Sequence, residues 1–344
     1  MRRGRPLAMA ALVGVACAPN ATRGAAEAGP AGTLVVANMG DNTATVIDVA
    51  TRRTLATLPT AAGPHEVAVS HDGRWAVVSG YGIRGAPGNT LTVIDLAAPV
   101  PVVARTINLG AYRRPHGSAF LPGDSLLAVT SEASRVVMLV AFARGVVVDT
   151  IPTNQPASHM LALTADGRHL FTSNVAAGNV TEQDVAARTA VRGIAVAPGG
   201  ETVWVGSNQA RTVSVIDTRR GAVVDTIGGF GMPYRLAVTP DARTVVVTDP
   251  PRARVLLLDA ATRRVRATIE VPNDGVVAGA EFAGSSSPEG IALSRDGRTA
   301  YVALQGASRV AAIDLASATI VATMATGASP DGIAYSPRVA GAAR

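Results

Sequence analysis

Short runs of alternating aliphatic and polar residues recur along the chain, many ending in aspartate. Val46-Ile47-Asp48, Val93-Ile94-Asp95, Val215-Ile216-Asp217, Leu257-Leu258-Asp259 and Ala312-Ile313-Asp314 are the clearest copies. Alternation of this length predicts half-buried β-strands, and the Asp-Gly-Arg triplets at 72–74, 166–168 and 296–298 predict hairpin turns between them. Val136–Phe142 replaces the phrase in the third unit, and Asp184 ends it in the fourth.

A second phrase has the same rhythm: Pro, a variable residue, a small residue, an aliphatic, then Ala. It reads Pro64-His65-Glu66-Val67-Ala68, Pro115-His116-Gly117-Ser118-Ala119 and Ser158-His159-Met160-Leu161-Ala162. It returns as Val191-Arg192-Gly193-Ile194-Ala195, Pro233-Tyr234-Arg235-Leu236-Ala237, Pro288-Glu289-Gly290-Ile291-Ala292 and Pro330-Asp331-Gly332-Ile333-Ala334. Each unit therefore predicts four antiparallel strands. Strand A comes from the Pro phrase, B follows the Asp-Gly turn, C carries the Asp-ended run, and D is a run such as Val223–Ile227. Seven such units predict an all-β, seven-bladed β-propeller over residues 33–337. The chain enters mid-repeat at a strand B, Thr33–Asn38, and leaves after a strand A at Gly332–Ser336. The expectation is that these two ends pair and remove the open edge.

The intervals between equivalent variable residues locate the irregularities. His65 to His116 is 51 residues, His159 to Arg192 only 33, and Tyr234 to Glu289 55. The short interval predicts that blade four lacks strand D, because Ala186–Val191 leaves no room for it. The long intervals place insertions at Tyr81–Gly88, between B and C, and at Pro272–Ser287, between D and A. In an up-and-down blade both connections emerge on the face where strand A begins, so that face is the functional candidate.

The variable residues would ring the mouth of the central channel on that face: His65, His116, His159, Arg192, Tyr234, Glu289 and Asp331. The ends of strands B would add Glu132, Asn174, Asn208 and Asp249. Three of the five histidines fall on consecutive blades, so His65, His116 and His159 form a candidate divalent-metal set. The same imidazoles suit a general base, or contact with a cofactor. They equally suit a polar, wet channel lining, with identities repeated by duplication. His71 and His169 map to the opposite face, and Trp75 and Trp204 to strands B as packing between blades. The aspartates ending strands C are expected to bond turn amides. Gly284-Ser285-Ser286-Ser287 reads as a flexible loop.

Composition narrows the partners. All 31 basic residues are arginine, against 25 acidic residues, and the arginines are scattered through turns. With aromatics at 3%, this argues against nucleic acid. One cysteine excludes a disulfide framework and a Cys-based zinc site. Beyond the N-terminus no run of 18 apolar residues occurs, which argues against membrane-spanning helices. Arg2, Arg3 and Arg5 precede the short apolar stretch Leu7–Ala16, a signal-peptide pattern. Removing those three arginines leaves the mature chain near +3. Gly14-Val15-Ala16-Cys17 resembles a lipobox, with Gly14 where leucine is usual, making Cys17 the expected lipidation site. Conventional cleavage after Ala18 is the alternative. Residues 1–17 thus read as a signal peptide, 18–32 as a flexible tether and 338–344 as a disordered tail.

The Pro-x-Gly-Ile-Ala, Asp-Gly-Arg and Val-Ile-Asp phrases, with Val35-Val36-Ala37-Asn38 in strand B, resemble the YVTN family of seven-bladed propellers. That family is grouped with the haem d1 domain of cytochrome cd1 nitrite reductase. Phe171-Thr172-Ser173-Asn174 and Tyr301-Val302-Ala303-Leu304 carry its name-giving phrase. The resemblance implies the fold, and it leaves the function open. Gly-x-Ser-x-Gly, P-loop, His-Glu-x-x-His and Cys-x-x-Cys-His motifs are absent. The leading expectation is a monomeric, exported, non-catalytic propeller binding a protein, small molecule or glycan, with a lipid anchor to the membrane. A His- or metal-dependent lactonase- or lyase-like enzyme is the alternative, as is a redox or cofactor-binding propeller.

Overall fold

Each Asp-ended strand C closes its turn through its own carboxylate. Asp48 accepts from the Thr51 amide at 2.6 Å, Asp217 from Arg220 at 2.9 Å, and Asp314 from Ser317 at 2.7 Å. The Asp-Gly-Arg turns work alike, with Asp72 and Asp166 accepting from the Arg74 and Arg168 amides. Local chemistry of this kind cuts the chain into short antiparallel strands, and a computed structural model describes the result for residues 31–186, 189–192, 200–277 and 282–341.

Seven sheets radiate from a common axis. Blade one runs Pro330–Ser336, Thr33–Asn38, Thr43–Asp48 and Thr54–Pro59 from centre to rim. Blades two, three and four start from the inner strands Pro64–Val69, Pro115–Phe120 and Ser158–Leu163. Blades six and seven start from Leu236–Val238 and Pro288–Leu293. Ring closure follows the sequence expectation. Pro330–Ser336 pairs antiparallel with Thr33–Asn38, Leu34 opposite Tyr335 and Val36 opposite Ile333. Apolar residues of facing sheets make the core between neighbouring blades. Trp75 packs edge-on to Phe142 across blades two and three, and Trp204 is buried against Val245 and Leu258 of blade six. No helix among the described residues is long and apolar enough to cross a membrane.

Three expectations need correction. Blade four does possess an outer strand: Thr189–Arg192 pairs with Thr181–Asp184. Arg192 therefore lies on the rim strand of blade four and not at the channel mouth. Blade five has three strands among the described residues. Ser285, Ser286 and Ser287 are buried and bonded, with Ser285 Oγ donating to the Pro250 carbonyl at 2.6 Å. The segment expected to be a tail packs against blade one as far as Ala340, whose amide donates to Thr33 Oγ1 at 2.9 Å. Residues 1–30, with Cys17 and the export signal, lie outside the described residues, as do 193–199 and the last three.

The Pro phrase has a specific backbone form. Pro64 faces Gly80 and Val67 faces Val78, so His65 and Glu66 together oppose the single residue Ser79. The same two-against-one bulge holds Asp331 and Gly332, His116 and Gly117, His159 and Met160, and Glu289 and Gly290. A β-bulge re-aims side chains out of strict alternation. The second bulged residue meets the next blade. A Cβ on Gly332 would fall against the His65 carbonyl oxygen, and one on Gly290 against that of Asp331. Gly332→Ala is expected to lower stability by about 3 kcal/mol, at the upper end of overpacking penalties, and denaturant unfolding of the purified chain measures it.

Candidate functional site

The bulges of five blades turn their first residues toward one mouth, and the structure joins several of them. His65 Nδ1 donates to Asp331 Oδ2 at 2.7 Å, linking blades two and one. Ser287 Oγ donates to Glu289 Oε1 at 2.9 Å. His159 Nδ1 contacts Glu132 Oε1, while the Tyr81 hydroxyl donates to Glu132 Oε2 at 2.5 Å. His116 lies between the other two histidines, its ring centroid 5.0 Å from that of His65 and 3.7 Å from that of His159. It is 2% exposed, and its Nδ1 has no hydrogen-bond partner.

Three residues outside the expected set complete the cluster. Arg235, from blade six, reaches across the ring to donate to Glu66 of blade two and lies 3.9 Å from Asp331 Oδ1. Its side chain is only 11% exposed, so a buried ion pair spans the mouth. Glu66 occupies the second bulged position and Arg235 the equivalent place in the sequence repeat, where Gly117, Gly290 and Gly332 stand elsewhere. A charged residue at a glycine position of a repeat was the signal available in the sequence. Tyr81 is the third addition. The Tyr81–Gly88 insertion is an extension of strands B and C, Trp75–Ile83 and Ala86–Asp95, and it stands Tyr81 edge-on over His65 and His116 at 4.6 and 5.4 Å.

Other expected members lie elsewhere. Asn174 is buried within blade four, accepting from Ser158 Oγ at 2.9 Å and donating to Thr181 Oγ1 at 2.9 Å. Asp249 holds a loop by accepting from the Gly231 and Met232 amides. Asn208 is exposed, and Tyr234 is half-buried beneath the Arg235 guanidinium, 4.5 Å from its ring. His71 and His169 lie at the A–B turns of the opposite face, where His71 Nδ1 meets Asp124 at 2.6 Å. A cavity of about 330 Å³ opens on that face between blades two, three and four, and His71 is the one titratable residue in its lining.

Burial and charge set the protonation states. Burial pushes the His116 imidazole well below its usual range, and the neighbouring His159, His65 and Arg235 push it the same way, so it is neutral with a free lone pair. Burial raises the Asp331 and Glu132 carboxyls, but hydrogen bonds from His65, and from His159 and Tyr81, outweigh it and leave both below the ordinary range. Burial and the bond to Glu132 push the Tyr81 phenol up, keeping it a donor. Burial opposes the charge of Arg235, yet Glu66 holds it firmly protonated. Glu66 and Asp331 thus face one buried guanidinium, with Arg114 outside it over the Tyr81 ring at 4.7 Å. Chemically, the mouth offers two imidazoles oriented through carboxylates and one neutral buried imidazole. Among the described residues, His116, Glu132 and His159 bring ligand atoms within 4.8 Å of one another, and His65 falls outside that group.

A family profile described as "Choice-of-anchor I domain" matches residues 256–331, in blades six and seven and the start of the closing strand. No curated protein matches the chain. Among solved structures, hydrazine synthase of Kuenenia stuttgartiensis is 19% identical, covering 80% of this chain and 90% of that one with a TM-score of 0.64. A functionally unknown protein from Desulfotomaculum acetoxidans is 14% identical at TM-score 0.71, covering 88% and 98%. The periplasmic gluconolactonase of Pseudomonas aeruginosa is 17% identical at TM-score 0.67, covering 89% and 99%. These likenesses establish the fold.

Replacing Arg235 by Met is expected to cost about 3–5 kcal/mol, because Glu66 and Asp331 would stay buried without their cation. The pH dependence gives a second readout. Asp331, held below its ordinary value near 3.9, contributes stability that is complete above about pH 4 and lost as pH falls through its lower native value. Without Arg235 that native value rises, so the acid limb of the unfolding curve should begin at higher pH than in the parent chain.

Proposed function

We propose that the chain is an exported propeller of the cell envelope that binds a partner or a polar ligand on its channel-mouth face. The observation that carries this is the concentration of charged and titratable side chains from blades one, two, three, six and seven at that mouth, overhung by the Tyr81 hairpin. A rigid ring that presents long connections and polar groups on one face is suited to recognition. The signal-like N-terminus, Cys17 and the anchor-type profile over 256–331 support an exported chain held at the envelope by lipid. The 31 arginines in the absence of lysine, spread through turns, do not make a nucleic-acid surface.

A second reading has one observation in its favour. The His65–Asp331 and His159–Glu132 pairs hold imidazoles through Nδ1, the arrangement that orients a general base. The gluconolactonase neighbour makes aldonolactones the first substrates to try. On that reading, lactone hydrolysis by the purified chain would fall at least a hundredfold in H65Q or H159Q.

Two measurements test the leading reading. Radiolabelled palmitate should enter the chain in its bacterial host and be lost in Cys17→Ser. Envelope partners captured by the mature chain should be lost when residues 82–87 are replaced by a two-residue turn, and kept in His71→Ala. Equal capture by all three forms would move recognition away from the mouth.

A further inference from the structure

We infer that His116, Glu132 and His159 form a site for a divalent transition-metal ion at the junction of blades three and four. This goes beyond the binding reading above and stands without it, since a metal titration needs no envelope partner.

The donor set comes from three separate places: the bulges of the inner strands Pro115–Phe120 and Ser158–Leu163, and the residue after strand B of blade three. Two imidazoles and one carboxylate are the donors that zinc, iron(II), cobalt(II) and nickel(II) accept, and three protein ligands leave positions for water. Their ligand atoms already lie within 4.8 Å of one another. Around an ion with bonds near 2.1 Å they need to be about 3.4 Å apart, a side-chain adjustment on the order of an ångström.

An independent feature points to a ligand. His116 is 98% removed from solvent, yet its Nδ1 is left without a hydrogen bond, and the nearest acidic oxygen, on Glu66, is 3.9 Å away. A buried polar atom without a partner costs about 1–3 kcal/mol, which a bound ion, or a ring rotation toward one, would relieve. The surrounding carboxylates Glu66 and Asp331 attract a cation into the mouth, and Arg235 offsets only part of their charge. Outer support is present as well: the Tyr81 hydroxyl fixes the second oxygen of Glu132, as second-layer groups do at metal centres. His65 lies outside the group, tied instead to Asp331, with its ring tilted at 5.0 Å from that of His116. The group available for the ion is therefore one carboxylate and two histidines, and not the three histidines of the repeat.

The test titrates the metal-stripped mature chain with cobalt(II), following heat and the visible d–d bands. One equivalent is expected to bind. H116Q, E132Q and H159Q should each weaken binding at least a hundredfold, Y81F about tenfold, while H65Q and H71A stay within threefold of the parent chain. Circular dichroism and melting temperature confirm that each variant folds. Absence of cobalt and zinc binding by the folded parent would overturn the site. So would a loss in H65Q equal to that in E132Q, which would return the ion to the three histidines. Stoichiometric binding retained by a folded E132Q/H159Q double variant would overturn it too.

Discussion

Everything at the channel mouth depends on the pairing of Thr33–Asn38 with Pro330–Ser336. That ladder satisfies the backbone of two strands that would otherwise stand as exposed edges, and it makes seven sheets mutually confining. It also brings Asp331 to His65, 266 positions away in sequence. The last strand of the chain thereby supplies a carboxylate that orients an imidazole on blade two. Closure and site are consequences of one interaction.

Within that frame, the bulge at the start of five inner strands decides much of what the mouth contains. Its first residue is aimed inward. Its second runs into the backbone of the neighbouring blade, so glycine fits there at 117, 290 and 332. Where blades two and six carry Glu66 and Arg235 at that place in the repeat, the side chains extend across the axis and find each other. Burying such charges is costly unless each has a partner, and the partners come from other blades. The mouth is accordingly a cross-braced polar cluster, with His116 as the one imidazole of that cluster left without a bond at Nδ1.

Several site residues were legible as positions but not as roles. His65, His116, His159, Glu289 and Asp331 stand at the repeat position that marked them, and Glu132 follows strand B as expected. Asn174 and Asp249 were chosen by the same positional logic, yet they fasten their own blades, because a strand end can turn its side chain into its own loop. Arg192 was misplaced because a short interval says only that residues are missing, and strand pairing alone shows that Thr189–Arg192 is the outer strand of blade four. Tyr81 was hidden in a segment that looked like an insertion loop, until hairpin pairing at Gly82–Pro87 stood it over the histidines.

By itself the sequence determined the fold class, the number of blades, the strand order within a regular blade and the closure of the ring. Those features repeat, and a repeated local pattern of strand, turn and aspartate needs no long-range information to be read. Tertiary structure alone decided which polar residues meet. That choice depends on bulges that break strand alternation and on the clearance between neighbouring blades. It depends also on the reach of Arg235 across the axis, a distance between residues that are far apart in the chain.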